Sequence, residues 1–298
     1  MLAPHYLKQN DKILILSTAR KVSREELHHA IELFKSWGLQ VELGKSIGAA
    51  EHQFAGDDDL RKSDFQQGID RPDIAAIFFA RGGYGTVRIL DGLNWSAFMK
   101  NPKWLCGYSD ITVLHAYVNT YLGIQTLHCA MPFAFATNTS DTTESIRSVL
   151  FGKQVKYNFP AHALNKAGRV KARLVGGNLS VLYSLAGSST QLQTDNCVLF
   201  LEDIDEYLYH IDRMMQNLKR SGKLKKIEGL VLGKFTDMKD NATPYGQSAY
   251  EIIHSYLAPD CIACFDFPSG HDNHNLSLIF GSTIELDVTA NGCTLCFI

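Results

Sequence analysis

Apolar positions in the first half of the chain alternate between two spacings. Lys12-Ile13-Leu14-Ile15-Leu16 is an apolar run of strand length, and Leu27, Ala30, Ile31 and Phe34 then recur at helical spacing. Ser23 with Glu26 three residues on forms a capping box that starts this helix, and Gly38 closes it. Further strands are expected at 39–43, at 74–80 and in a short run ending at Leu105-Cys106-Gly107, with helices near 60–69 and 110–121. The run 74–80 is apolar throughout and bounded by Pro72 and by Arg81-Gly82-Gly83. Strands of this kind, separated by helices, predict a parallel sheet covered on both faces, hence a doubly wound α/β domain over 1–150.

The pattern breaks over 151–172, where Gly152, Pro160 and several lysines show no periodicity; a linker is expected there. In 173–298, β-like runs dominate, at 197–201, 229–235, 261–267, 283–288 and 293–298. Two helices interrupt them, one with Ile211, Met214, Met215 and Leu218 on one face and one over roughly 247–257. The second half is therefore read as a mixed, β-rich and barrel-like domain.

Composition changes this picture in three ways. A net charge of −2 without a basic stripe excludes a nucleic-acid partner. The cluster Lys219, Arg220, Lys223, Lys225 and Lys226 suits the solvated end of a helix. The first residues carry no apolar leader and no run approaches the ~18 residues of a membrane span, so a cytoplasmic protein with no membrane partner is expected. The pairs Cys261/Cys264 and Cys293/Cys296 fit the four-cysteine zinc template only loosely. On a strand, positions i and i+3 face opposite sides, so neither pair can readily grip one ion and no metal is expected.

Four segments could carry chemistry. Gly107-Tyr108-Ser109-Asp110 lies between an expected strand and helix, as a nucleophile elbow does, but lacks the second glycine of Gly-x-Ser-x-Gly. Read locally, Ser109 suits a helix N-cap better. Arg81-Gly82-Gly83-Tyr84-Gly85 is neither a Walker loop nor a dinucleotide fingerprint; it is a tight turn or a set of backbone donors aimed at an anion. Leu201-Glu202-Asp203 follows an apolar strand, and Gly270-His271-Asp272-Asn273-His274 sits in a turn-rich loop. Together they hold a nucleophile, a base, a carboxylate and a donor loop, a full inventory for acyl transfer without a cofactor.

In order, these motifs resemble those of the LD-carboxypeptidases (muramoyltetrapeptide carboxypeptidases). The matching residues are Phe54-Ala55-Gly56 with Arg61, the 81–85 loop with Leu90-Asp91, Gly107 to Thr112, Gly176-Gly177-Asn178-Leu179-Ser180, Leu201-Glu202-Asp203, Tyr209 with Ile211-Asp212-Arg213, and Gly270-His271. The resemblance implies a Rossmann-like N-terminal domain, a β-rich C-terminal domain and a catalytic Ser109, Glu202 and His271. It implies an oxyanion hole at the backbone of Gly83 and Asp110, substrate contacts from Arg81, Tyr84 and Asn178, and a homodimer that removes D-alanine from murein tetrapeptide in cell-wall recycling. A microcin-type immunity peptidase and a non-catalytic ligand-binding protein are the alternatives. The chain departs from the family at His128-Cys129-Ala130-Met131, where His-Gly-Pro-Met is usual, and at Ser17-Thr18-Ala19-Arg20, where a small Pro-Ser turn is usual.

Overall fold

A computed structural model describes residues 1–298. Its strands in chain order are β1 (Lys12–Leu16), β2 (Gln40–Leu43), β3 (Ile74–Phe79), β4 (Trp104–Gly107), β5 (Thr126–His128), β6 (Lys156–Phe159), β7 (Gly168–Asn178) and β8 (Cys197–Ile204). Then follow β9 (Gly229–Thr236), β10 (Ile262–Cys264), β11 (Leu278–Phe280), β12 (Thr283–Thr289) and β13 (Gly292–Phe297). They form two sheets, ordered β11-β5-β4-β3-β1-β2 and β10-β9-β8-β7-β12-β13-β6.

In the first sheet β1 to β5 are parallel, as expected of apolar strands joined by helices. Successive side chains of β3 are buried on alternate faces, so Ile77 and Phe79 pack in one apolar cluster and Ala76 and Phe78 in another. The capping box is made: Ser23 Oγ accepts from the Glu26 N–H and Glu26 Oε2 from the Ser23 N–H. The second sheet is parallel across β7, β8, β9 and β10 and antiparallel beyond β7. Its two ends approach each other, since Lys166, between β6 and β7, exchanges backbone hydrogen bonds of 2.9 and 3.1 Å with Ala263 of β10. This is the barrel-like curl.

Two expectations need correction. The stretch 151–172 is not a structureless linker: it holds β6 and the first residues of β7. β6 is a sheet edge whose Lys156 and Asn158 stay exposed, which suits an edge strand and hides it from an apolar search. Nor does the first sheet belong only to the first half of the chain. β11 returns from the C-terminal half and pairs antiparallel with β5, Leu278 opposite His128.

The halves are also joined at β7. A side chain on Gly177 would collide with Thr112, on the helix Thr112–Tyr117 that follows β4. Thr112 Oγ1 takes the adjacent Asn178 N–H at 2.9 Å. No helix is long and apolar enough to cross a membrane.

Candidate active site

Ser109 begins a 3-10 turn directly after β4, with φ 61°, a left-handed conformation that a non-glycine residue adopts at a cost. The N-cap position of that turn is Tyr108, not Ser109. The Ser109 Oγ instead lies 3.1 Å from His271 Nε2. The local N-cap reading of Ser109 is therefore overturned, and the strained turn points the hydroxyl away from its own helix.

His271 Nδ1 lies 2.7 Å from Glu202 Oε2, and Glu202 is wholly buried. An ionised Glu202 requires the proton on Nδ1, which leaves the Nε2 lone pair facing the Ser109 hydroxyl. Burial pulls the His271 pKa down, while the charge of Glu202 and its hydrogen bond pull it up; the net position is above the usual histidine value. Tyr108 packs its ring 4.7 Å from the imidazole. Glu202 stands where the β8–β9 register shifts, an irregularity of the kind that re-aims a side chain.

The loop bearing His271 is fixed from both halves. Gly270 has φ 133°, and a side chain there would crowd Glu202 Cβ and Oε2 at 3.1 and 3.2 Å. Glycine is thus what lets the loop lie on the carboxylate. The Asn273 carbonyl accepts from the Thr139 N–H and from Thr142 Oγ1, both at 3.0 Å, while the Lys234 N–H of β9 donates to the Ser269 carbonyl at 2.9 Å.

Beside Ser109 opens a cleft of 310 Å³ whose walls include Arg81, Gly83, Asn178, Asp203 and His271. The N–H groups of Gly83 and Asp110 donate to no protein acceptor. The Asp110 carboxylate accepts the Thr86 N–H at 2.9 Å and so ties the Ser109 turn to the end of the glycine loop. Burial raises the Asp110 pKa, against the pull of Thr86 and Arg61. Buried Arg61 holds that loop from behind, donating to the carbonyls of Thr18 at 2.6 Å and Gly85 at 3.2 Å.

The three substrate-contact candidates differ in placement. Arg81 lines the cleft with its guanidinium 5.0 Å from the Phe133 ring centroid. Asn178 also lines it, but its amide is engaged: Oδ1 caps the helix Leu179–Leu185 through the Val181 N–H, and Nδ2 donates to Asp203 at 2.8 Å. Tyr84 is not in the cleft wall; its ring is half exposed and sits 6.3 Å from Phe54. His274, the other histidine of the loop, lines a separate open groove of 580 Å³ beside β6. That groove is larger, but it contains neither the serine nor the carboxylate.

Sequence reasoning quoted Asp203 without assigning it a place. It is buried in the cleft wall, where burial and the neighbouring Glu202 push its pKa up to about 7, against donors from Ile204, Asn178 and Ser180. Two consecutive acidic residues ending an apolar strand were its signal. Arg20, Phe133 and Ser180 also line the cleft; Arg20 had a signal in the departure of its turn and Ser180 in the motif it closes, whereas Phe133 had none. His128 is buried among the rings of Tyr108, Phe200 and Phe280 with no partner for either nitrogen, and burial holds it neutral. No three His, Cys, Asp or Glu side chains stand close enough together to hold a metal ion.

The model of the LD-carboxypeptidase N-terminal domain matches residues 13–129, and that of the C-terminal domain matches residues 171–286. The chain belongs to the LD-carboxypeptidase family. A probable murein peptide carboxypeptidase of Bacillus subtilis is 30% identical over 95% of this chain and 91% of its own length. The crystal structure of a muramoyltetrapeptide carboxypeptidase from Oxalobacter formigenes superposes with a TM-score of 0.87 at 27% identity, over 96% of this chain and 98% of that one. A microcin C7 self-immunity protein of Escherichia coli is 26% identical over 90% of this chain and 87% of its own length. Family and relatives make the chain a peptidase of carboxypeptidase kind, on the two-domain fold described above.

Proposed function

We propose that the protein is a serine carboxypeptidase that hydrolyses the amide between an L-configured centre and a terminal D-alanine of murein tetrapeptide. The observation that carries this reading is the continuous chain from Ser109 Oγ through His271 to buried Glu202, at 3.1 and 2.7 Å, facing an open cleft. In this reading Ser109 attacks the scissile carbonyl as His271 takes its proton, and Glu202 holds the tautomer and stabilises the imidazolium. The Gly83 and Asp110 N–H groups receive the developing oxyanion. His271 returns its proton to the departing amine of D-alanine; it then activates a water that frees the tripeptide from Ser109. No cofactor takes part.

A purely binding role gives no reason for a buried carboxylate aligned behind a histidine and a strained serine. An aromatic platform for a base would favour a microcin-type substrate; of the rings lining the cleft, Tyr108 packs on His271 and Phe133 carries the Arg81 guanidinium. The test is purified protein incubated with murein tetrapeptide, with D-alanine release followed chromatographically. Stoichiometric tripeptide and D-alanine are expected; an intact tetrapeptide overturns the reading.

A further inference from the structure

The cleft lining holds two groups of opposite chemistry. One is the guanidinium pair Arg20 and Arg81, with Arg20 lying on Gly83; the other is the Asp203 carboxylate, hydrogen-bonded to Asn178 and Ser180. Arg81 is partly engaged, 3.7 Å from Glu26 and over Phe133. Arg20 makes no ion pair and its guanidinium makes no hydrogen bond. Its aliphatic stem lies on the glycine loop, where a Cβ on Gly83 would collide with its Cδ. The backbone beneath it is pinned: Ser17 Oγ donates to the Arg20 carbonyl at 2.7 Å and the Arg20 N–H to the Gly82 carbonyl at 3.4 Å.

Carboxypeptidase chemistry sets a distance requirement on any such cation. Three bonds, C–N, N–Cα and Cα–C, separate the scissile carbonyl carbon from the terminal carboxylate carbon, a reach of about 4 Å. A group that grips the terminal carboxylate must therefore share a wall with the donor that receives the oxyanion. Arg20 meets that requirement, since its stem lies on Gly83, the proposed oxyanion donor, in the same cleft as Ser109. Its planar fork matches a carboxylate in two parallel hydrogen bonds.

We propose that Arg20 is the specificity residue for the free C-terminal carboxylate of the substrate, the feature that makes this site an exopeptidase site. The proposal rests on the peptidase reading above. It places Arg20, in the turn where this chain departs from the family pattern, on the leaving-group side of the cleft, with Arg81 in a supporting place.

The experiment compares tetrapeptide ending in a carboxylate with the same peptide ending in a carboxamide, on wild type, Arg20→Gln, Arg20→Lys and Arg81→Gln. Wild type is expected to prefer the acid by about 10- to 100-fold in kcat/KM, the worth of a charge-assisted bidentate contact. Arg20→Gln should bring that preference to within a few fold, chiefly through a higher KM on the acid, with a thermal melt near that of the wild type to show that the variant is folded. Arg20→Lys should retain part of the preference, because the charge remains without the fork. An Arg20→Gln enzyme that keeps the full preference, or an Arg81→Gln enzyme that loses more of it, overturns the assignment. Wild type that cuts neither peptide defeats the peptidase reading itself and the proposal with it.

Discussion

Glu202→Gln tests the arrangement at its most buried point. The substitution keeps shape and hydrogen-bonding capacity but removes a negative charge that sits 2.7 Å from His271 Nδ1 on a side chain with no solvent exposure. With charge centres roughly 4 Å apart and an effective dielectric near 20, the lost stabilisation of an imidazolium is about 4 kcal/mol, or about 10³-fold in rate. A glutamine can also turn its amide NH2 toward Nδ1, which forces the proton onto Nε2 and leaves no base facing Ser109. The loss in kcat then approaches about 10⁴-fold. The pH profile gives an independent readout. The base works only when neutral, so kcat/KM rises with pH through the free-enzyme pKa of His271. In the wild type, burial lowers that pKa while Glu202 raises it to a net position above the ordinary value. Removing Glu202 leaves burial dominant, so the acidic limb should move below pH ~6.5 as the plateau falls. Steady-state D-alanine release between pH 5 and 9, with thermal melts to verify folding, measures both effects. A limb that stays in place or moves to higher pH, with a rate loss under tenfold, refutes the role assigned to Glu202.

At Ser109 activity and stability should separate: Ser109→Ala should lose at least about 10³-fold in kcat while its stability changes by no more than about 1 kcal/mol. Ser109→Gly, equally inactive, should be the more stable of the two variants, because relief of a left-handed φ of 61° (about 1–2 kcal/mol) exceeds the added flexibility of the unfolded chain (about 0.4–1 kcal/mol); an alanine variant that melts higher shows that the turn is unstrained. His115 is buried, donating from Nε2 to the Gly107 carbonyl and accepting from Thr126 at Nδ1, and burial holds its pKa down at about 4. Its unfolded form gains a proton below pH ~6.5, so the wild type loses stability as pH falls from there toward 4; the stability gap between wild type and His115→Gln in urea unfolding should narrow by up to about 3 kcal/mol, and a pH-independent gap contradicts the assignment.

What the sequence made legible follows from how each segment is buried. β3 and β8 are buried on both faces, so they read as continuous apolar runs and were found. β7, the longest strand, alternates Arg169, Lys171 and Arg173 with Val170, Ala172 and Leu174, then ends in Gly176-Gly177-Asn178, and its signal was lost in that polar half. β5 and β11 are three residues each, too short for any period to show. The expected strand at 261–267 is cut to Ile262–Cys264 because Asp266 takes a left-handed φ of 65°. At the site, ordered motifs pointed to Ser109, Glu202 and His271, which the fold brings into one hydrogen-bonded chain. Neither the engagement of Asn178 in a cap nor the outward position of Tyr84 has a one-dimensional signature, because both depend on what packs alongside.

The same reasoning explains why a site drawn from such distant segments holds its geometry. Ser109 and His271 are 162 positions apart, and their contact requires the two sheets to keep a fixed relation. Each apolar cluster draws on both sheets: Ile13, Phe78 and Trp104 share one with Phe200, Leu286 and Leu295, and Leu14, Ile77 and Leu105 share the other with Val175, Leu199 and Leu230. Separating the halves would expose both clusters, strip β11 from β5 and break the Thr112–Asn178 and Thr139–Asn273 hydrogen bonds together. An opening with losses on that scale approaches global unfolding, unlike the hinge motion of domains joined by a small polar interface. The hydroxyl, imidazole and carboxylate are therefore aligned before substrate arrives. That is the preorganisation acyl transfer requires, since donors already in place need no reorganisation as charge develops.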